Sequence, residues 1–271
     1  MIKRHKKAFT LIELLTVISI IGILSTIAMV NMKGSSDKAK FAASQSFDAS
    51  IYRSSGDQLI GEWLFDEGSG TAAKDTSGNR RDGAIAGATW TAGMSGKALN
   101  FATGSYVSLG SDGVLNPPVF TITAWVKPGD FSGSYAYIYS NARDCCGAYN
   151  GIDLRLAANK VLATIWNGGA AQLWGNSIVS NNPVWSFIAF SYDGNKMAIY
   201  VNGKLDVTRT TALGVGSPAS ADSYIGAMGT GYTAYDMTGS IDQVRLYGSA
   251  IIAANIEKMY LAERDRYLAK K

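Results

Sequence analysis

Hydrophobic positions near the N-terminus form one long run. Residues 14–32 read LLTVISIIGILSTIAMVNM and contain no charged side chain, over about the 20 residues that a helix needs to cross a bilayer. Beyond this run, small and apolar side chains recur at every fourth position, at Ala39, Ala43, Phe47 and Ile51. This spacing places them on one face of a helix. The pattern predicts a long N-terminal helix whose first half is transmembrane.

From residue 59 onward the hydrophobic period changes to two. The segment FTITAWVKP at residues 120–128 alternates in this way, as expected for a strand with two distinct faces. Residues 184–210 read as three strands joined by Asp193-Gly194 and Asn202-Gly203, dipeptides that supply the positive φ angles of tight hairpin turns. About a dozen such runs predict one large antiparallel sandwich over residues 57–250.

A helical pattern returns at the end of the chain. Ile252, Ile256, Tyr260 and Tyr267 lie on or near one face of a predicted helix over residues 251–271. We expect this short helix to pack on the sandwich. The predicted fold class is α+β, with a long N-terminal helix, an antiparallel β-sandwich and a short C-terminal helix.

The positive charge of the chain is concentrated at its start. The formal net charge is +4, and Lys3, Arg4, Lys6 and Lys7 supply four positive charges before residue 9. By the positive-inside rule this flank stays in the cytoplasm, and the rest of the chain faces outward. The remainder is formally neutral, which argues against nucleic acid as a partner because phosphate recognition relies on a basic surface.

The only histidine, His5, lies in this same basic segment. If the segment is removed, the mature protein has no histidine. Catalysis by a Ser-His-Asp triad or a Cys-His pair is then excluded, as are zinc sites that use histidine ligands. Only carboxylate chemistry is left among the common hydrolytic mechanisms.

Glu13 stands at the start of the apolar run, where an ionised carboxylate is costly unless it has a partner. The surrounding residues, KKAFTLIELLTVISIIGIL, resemble the N-terminus of type IV prepilins and pseudopilins. The resemblance implies that Glu13 is the buried glutamate of that family. The N-terminal amine of a neighbouring subunit would then be its counter-charge during assembly. The alternative is an ordinary signal anchor that carries a glutamate.

The same resemblance implies a processing site. A prepilin peptidase would cleave between Ala8 and Phe9 and methylate Phe9, so that residues 1–8 are a leader and residues 9–56 the pilin helix. The family most often has Gly where this chain has Ala8, and Ala is also small. The subunit would be held in the cytoplasmic membrane before assembly and would reach the cell surface in a filament with other pilin subunits.

A second resemblance covers the β-rich region. GEWLFDEGSG, DTSGNRRDGAI, GKALNF, FTITAWVKP, FSYDGNKMAIYVNGKL and GSIDQVRLYGSAI are similar, in this order, to segments of laminin-G-like domains. The resemblance implies a concanavalin A-like jelly roll. Domains of this family bind carbohydrate, bind protein or act as spacers, so the fold alone assigns no ligand.

The loop from Asp75 to Asn79 places several oxygen-bearing side chains close together, as a hard cation such as calcium requires. It resembles the calcium loop of laminin-G-like domains, and the resemblance adds Asp242 from the SIDQVRLY segment. We therefore expect structural calcium at Asp75, Asn79 and Asp242. The alternative is a turn in which Asp75 accepts hydrogen bonds only from its own loop.

Four aromatic residues in Gly- and Asn-rich surroundings are candidates for stacking on sugar rings: Tyr149, Trp166, Trp174 and Tyr232. They are also candidates for the core, since the chain contains 14 Tyr and 6 Trp. The consecutive Cys145 and Cys146 cannot join distant segments. They either form a vicinal disulfide or remain free thiols.

Three functions are compatible with these features. The first is a structural subunit of a type IV pilus-like filament, whose head adheres to carbohydrate or to a surface protein. The second is a pseudopilin of a type II secretion or DNA-uptake system. The third, a surface-tethered glycoside hydrolase, is disfavoured because Glu62, Asp66 and Glu67 in GEWLFDEG lack the E-x-D-x-x-E spacing of laminarinase-like enzymes. The chain is therefore expected not to be an enzyme.

Overall fold

The computed structural model describes residues 58–129, 135–142, 149–179, 184–217 and 222–269, together with Ile12, residues 14–16, Ile18 and Ser19. The chain divides into two compact units, Met1–Phe47 and Asp48–Lys271. In the first unit the described residues are helical, and the Ser19 hydroxyl donates to the Leu15 carbonyl at 2.8 Å.

The described apolar side chains of the first unit, Ile12, Leu14, Leu15 and Ile18, are exposed. No helix among the described residues has the length and apolar character to cross a membrane. Most of the predicted span over residues 14–32 lies outside the described residues. Ala8, Phe9, Glu13, Cys145 and Cys146 also lie outside them.

The second unit consists mainly of β-strands. They are β1 (Leu59–Trp63), β2 (Ala72–Ala73), β3 (Gly83–Ala86), β4 (Thr89–Ala92), β5 (Lys97–Phe101), β6 (Tyr106–Gly110), β7 (Phe120–Pro128), β8 (Ala136–Ser140), β9 (Asn150–Ala157), β10 (Lys160–Asn167), β11 (Ala170–Ile178), β12 (Ser186–Tyr192), β13 (Lys196–Val201), β14 (Lys204–Thr210), β15 (Ser223–Ile225) and β16 (Gly239–Tyr247). Short 3₁₀ turns cover Gly113–Leu115 and Thr233–Tyr235, and helix α1 covers Ala253–Ala269.

These strands form two antiparallel sheets. The first sheet has the order β14-β13-β12-β7-β16-β5-β4, with β1 also paired to β16. The second sheet has the order β11-β10-β9-β8-β15-β6-β3-β2. Neighbours in space are often distant in sequence, as for β7 beside β16, which is the arrangement of a jelly-roll-like sandwich. The predicted β-sandwich with a short C-terminal helix is confirmed.

The core lies between the two sheets. Alternate residues of each strand point into it, as the period of two requires. The largest fully buried side chains include Trp63, Phe101, Phe120, Phe190 and Tyr192. Phe120 packs edge-on against Phe190, with ring centroids 5.0 Å apart.

Both predicted hairpin turns are present. Gly194 has φ of 98° in the turn between β12 and β13. Asn202 and Gly203 have φ of 51° and 77° between β13 and β14. Positive φ is accessible to Gly and tolerated by Asn, so these dipeptides fix the register of the meander.

Strand β16 changes partners along its length. Its first residues, Gly239–Ile241, pair with β5, and its last residues pair with β1. Between them the register against β7 shifts, and Gln243 adopts φ of 49°. This β-bulge locally redirects the strand next to Asp242.

Helix α1 covers the outer face of the first sheet. Tyr260 stacks on Trp125 of β7, with centroids 5.7 Å apart, and Glu263 accepts a hydrogen bond from the Trp125 indole N–H. Trp125, which the alternation placed opposite the core-facing residues, is therefore buried by the helix. The helix begins at Ala253, so Ile252 precedes it and is 65% exposed rather than packed.

Candidate ligand-binding face

Strand β9 places a charged pair on the outer face of the second sheet. Its sequence alternates strictly, with Ile152, Leu154 and Leu156 in the core. Asp153 and Arg155 therefore point to the opposite face of the sheet. Both are nevertheless almost completely buried, with 2% and 3% exposure. The environment above this part of the sheet is thus polar and largely shielded from bulk solvent.

The carboxylate of Asp153 collects three side-chain hydrogen bonds. The Ser140 hydroxyl donates to Oδ1 at 2.6 Å, and Arg155 Nη1 and Trp166 Nε1 each donate to Oδ2 at 2.7 Å. Burial raises the pKa of the Asp153 carboxyl, and the positive charge of Arg155 and these hydrogen bonds oppose that rise. The ion pair makes this part of the face neutral overall.

Trp166 connects this buried network to the surface. It lies near the end of β10 and is half-buried, and its indole N–H is held by Asp153. The ring of Tyr149 lies against it, with centroids 5.0 Å apart and an interplanar angle of 38°. Tyr149 is 40% exposed. The two rings form an aromatic platform of the type that stacks on apolar faces of sugars.

Backbone contacts hold the platform in place. The Gly168 N–H, in the turn after β10, is shared between the Tyr149 carbonyl at 3.3 Å and the Asn150 side-chain oxygen at 3.2 Å. The Gly216 N–H donates to the Trp166 carbonyl at 2.9 Å. Gly168 has φ of 65°, which glycine adopts without strain.

A second aromatic cluster surrounds Arg155. Its guanidinium carbon lies 4.8 Å from the ring centroid of Tyr135 and 5.1 Å from that of Tyr137. The Tyr235 ring lies 5.8 Å from Tyr135. Arg155 Nη1 also donates to the Tyr137 hydroxyl at 3.2 Å. These cation–π contacts fix the arginine in one orientation.

The structure places Tyr149, Trp166 and Trp174 on this side of the second sheet and Tyr232 next to the turn that supplies Tyr235 to the Arg155 cluster. Tyr149 and Trp166 are in contact, and Trp174 of β11 is on the same side of the second sheet and is 45% exposed. Tyr232 lies in another loop, before the 3₁₀ turn Thr233–Tyr235, and is 39% exposed.

Sequence reasoning did not identify Asp153, Arg155 and the tyrosines around them. A signal was present in GIDLRLA, where two opposite charges occupy alternate positions of an otherwise apolar strand. A charged pair in that position needs a polar environment on one face.

The Asp75 loop is held by hydrogen bonds to protein groups. Asp75 Oδ1 accepts from the N–H groups of Glu62 at 3.0 Å and Ser77 at 2.9 Å, and Oδ2 accepts from Arg81 N–H at 2.9 Å. Burial acts to raise the pKa of Asp75, but the hydrogen bonds outweigh it and leave the pKa below its ordinary value. The Asn79 amide donates to the Leu59 and Ile60 carbonyls. The loop is thereby fastened to β1.

Asp242 is placed differently. Its side chain is fully buried, and Oδ2 accepts from Met94 N–H at 2.7 Å and Ser95 N–H at 3.3 Å. Oδ1 has no hydrogen-bond partner among the described residues. Burial raises the pKa of Asp242 to about 8, and the nearby negative charge of Asp66 contributes.

These contacts bear on the predicted calcium ligands. Asp75 and Asn79 belong to one loop, between β2 and β3, which is hydrogen-bonded to β1. Asp242 instead accepts from the turn between β4 and β5. The described part of the chain contains no group of three or more His, Cys, Asp or Glu side chains placed to hold a metal ion. Calcium binding at Asp75, Asn79 and Asp242 stays a prediction.

The carboxylates considered as candidates for glycoside hydrolysis accept hydrogen bonds from other groups of the sandwich. Glu62 is 2% exposed and accepts from Arg245 Nε at 2.7 Å. Asp66 accepts from Lys97 N–H, and Glu67 from Lys74 N–H. These contacts give each carboxylate a structural role in the sandwich.

Two family models match the chain. Residues 101–257 match the laminin-G-like family described as the concanavalin A-like lectin/glucanases superfamily. Residues 3–29 match the prokaryotic N-terminal methylation motif. Both resemblances noted in the sequence are confirmed. Among curated proteins, none matches this chain.

Solved structures share the sandwich fold. Domain 4 of AbnA, a GH43 extracellular arabinanase from Geobacillus stearothermophilus in complex with arabinotriose, has a TM-score of 0.61 at 19% identity. The alignment covers 75% of this chain and 98% of that one. The binding domain of Paraclostridial Mosquitocidal Protein 1 also has a TM-score of 0.61, at 16% identity, over 76% of this chain and 52% of that one. Trypanosoma rangeli sialidase has a TM-score of 0.57 at 15% identity, and the alignment covers 75% of this chain and 32% of the sialidase. At these identities the likeness concerns the fold alone.

Proposed function

Because the chain belongs to the concanavalin A-like lectin/glucanases superfamily and carries the prokaryotic N-terminal methylation motif, we propose that it is a pilin whose head binds carbohydrate. The motif implies a membrane-anchored precursor, processing by a prepilin peptidase and assembly with other pilin subunits. The head is then displayed on a surface filament, where it acts in adhesion.

The N-terminal half of the proposal assigns roles to three residues. Cleavage between Ala8 and Phe9 creates a new amine, and Glu13 of a neighbouring subunit pairs with it in the filament. A carboxylate in an apolar run is stabilised by such a partner. The described helical residues nearby expose apolar side chains, as a segment that contacts lipid or other subunits requires.

One observation carries the carbohydrate half of the proposal. The exposed Tyr149–Trp166 platform is held from beneath by the Trp166–Asp153 hydrogen bond and the buried Asp153–Arg155 pair. A fixed ring presented at the surface stacks on a sugar with little loss of side-chain entropy. An arabinanase domain of the same fold was solved in complex with arabinotriose, so arabino-oligosaccharides are among the ligands to test.

The filament role is tested by Glu13→Ala. We expect the variant to insert into the membrane and to fold its head normally, but to yield few or no filaments at equal expression. Thr16→Ala, in the same apolar segment, is the matched control and should assemble normally. Filament yield equal to wild type for Glu13→Ala would contradict the role of Glu13. Short periplasmic assemblies without surface filaments in wild-type cells would instead indicate a pseudopilin.

The ligand class is tested on an array of plant and bacterial glycans with the full chain in detergent. We expect binding to neutral glycans and loss of that binding in Trp166→Ala. Binding that persists in Trp166→Ala, or the absence of any glycan signal, would contradict the proposed site.

We further propose that the head has no hydrolase activity. Glu62, Asp66 and Glu67 are each bonded to other groups of the fold. A glycosidase needs two carboxylates free to exchange protons or attack the sugar. Release of reducing ends from a bound glycan by the purified chain would overturn this part.

A further inference from the structure

The β10–β11 hairpin carries a second exposed indole in line with the platform. Trp166 pairs with Ala170, Thr164 with Gln172 and Leu162 with Trp174. Residues directly opposite in a ladder share a face, so Trp166 and Trp174 point to the same side of the sheet. They lie four ladder positions apart, which corresponds to about 13 Å along the strands.

The stretch between the two indoles is polar but uncharged. Thr164 and the half-buried Gln172 occupy the pair midway between them. Thr164 is fully buried, and its hydroxyl has no hydrogen-bond partner among the residues that the structure describes. In the same part of the fold, Arg155 Nε also lacks a partner within the described set. Of the midway pair, Gln172 is the residue whose polar side chain is accessible to a ligand.

The charge of this surface selects the ligand class. Strand β11, AAQLWGNSI, has no charged side chain. On the neighbouring β9, Asp153 and Arg155 neutralise each other at 2.7 Å. Lys160 at the start of β10 and Arg209 of β14, which donates to the Gln172 carbonyl, place positive charge at the margins of the hairpin. Between the two indoles the side chains are neutral, which matches a neutral, hydroxyl-rich ligand.

We propose that Trp166 and Trp174 are two subsites for one neutral linear oligosaccharide, which lies along the β10–β11 hairpin. This inference rests on the proposed carbohydrate function and deepens it. A single sugar ring is too short to reach both indoles across about 13 Å. The head therefore selects oligosaccharides over monosaccharides, and Trp174 is the residue that determines this preference for longer ligands.

The test measures affinity against ligand length. The full chain in detergent is titrated calorimetrically with arabinose, arabinotriose and longer linear arabino-oligosaccharides, and with the matching xylose and glucose series. We expect wild-type affinity to rise by about 3- to 10-fold once the ligand spans both indoles, as one additional aromatic contact supplies. Trp174→Ala should abolish this rise, so that long ligands bind no more tightly than short ones.

Two further variants make the result specific. Trp174→Phe keeps a ring at this position and should retain part of the rise. Leu205→Ala removes an exposed apolar side chain from β14 of the other sheet and should change nothing. If Trp174→Ala fails to fold, as judged by its near-UV circular dichroism, the Trp174→Phe series decides.

The outcomes separate the two proposals. Wild-type binding that is independent of chain length, or a length effect that survives in Trp174→Ala, would overturn the two-subsite arrangement and leave the single platform intact. Failure of the wild type to bind any of the three series would overturn this inference. Loss of every signal on the broader glycan array would overturn the carbohydrate function itself.

Discussion

The indole Nε1 of Trp166 lies 2.7 Å from Oδ2 of Asp153, so a ring at the surface is anchored by a buried carboxylate. The same oxygen accepts from Arg155, which two tyrosine rings hold in place. The geometry of the platform is therefore determined by the fold rather than by the ligand. A preorganised ring loses less freedom on binding than a mobile one.

Trp166→Phe should separate ring stacking from anchoring. It retains an aromatic ring but removes one donor from Asp153, which lowers the free energy of unfolding by about 1–2 kcal/mol. Glycan affinity should fall only partly in Trp166→Phe, whereas Trp166→Ala should no longer bind the glycan. Urea unfolding and calorimetric titration of both variants check this. Equal binding by Trp166→Ala and wild type would show that the ligand does not contact this ring.

Glu263 should stabilise the packing of helix α1. It accepts from the Trp125 indole and pairs with Arg245 Nη1 at 2.5 Å. Glu263→Ala leaves a buried N–H without its acceptor and should lower the free energy of unfolding by about 2–4 kcal/mol. Glu257→Ala, on the exposed side of the same helix, should change it by no more than about 0.5 kcal/mol. Equal urea midpoints for the two variants would show that the buried contacts contribute little.

Much of this fold could be predicted from local sequence signals. The hairpins at Asn202-Gly203 and Asp193-Gly194 follow from backbone conformations that these residues favour, and the alternation in β7 follows from its two-residue period. The burial of Trp125 could not be predicted, because it depends on a helix more than 120 residues later in the chain. The Asp153–Trp166 contact likewise depends on the register of β9 against β10, which cannot be predicted from a local sequence pattern. The aromatic candidates were identifiable by type, but their shared face was not.

Calcium should stabilise the head if Asp242 is a ligand. At a hundredfold excess over the dissociation constant, binding to the folded state alone adds about 2.7 kcal/mol to the free energy of unfolding. Asp242→Asn should abolish that gain without lowering the baseline melting temperature, since Asn retains an acceptor for Met94 and Ser95 N–H.

Asp75→Ala should abolish the calcium gain and also lower the baseline, because three backbone N–H groups lose their acceptor. Differential scanning calorimetry with calcium and with chelator measures both effects. A wild-type melting temperature that is the same in both, with bound metal excluded by elemental analysis, would contradict the calcium site.

Asp112 should contribute to acid sensitivity. It accepts from Val114 N–H at the start of a 3₁₀ turn and from Arg81 Nε at 2.8 Å, which hold its pKa below 3.8. A lowered pKa gives stability that is complete above the unfolded value and is lost as pH falls through the folded one. The side chain is 42% exposed, so Asp112→Asn should cost at most about 1 kcal/mol at pH 7. The difference from wild type should shrink as pH falls below the pKa of an unfolded Asp, about 3.9, in urea titrations. A difference that stays constant with pH would contradict the assignment.

The central claim is that this chain is a processed filament subunit, and intact mass spectrometry of sheared surface filaments tests it most directly. The account predicts a chain that begins at Phe9 and carries one N-terminal methyl group. A filament-derived chain that retains residues 1–8, a cut beyond Val30, or filaments that lack this chain would contradict the claim.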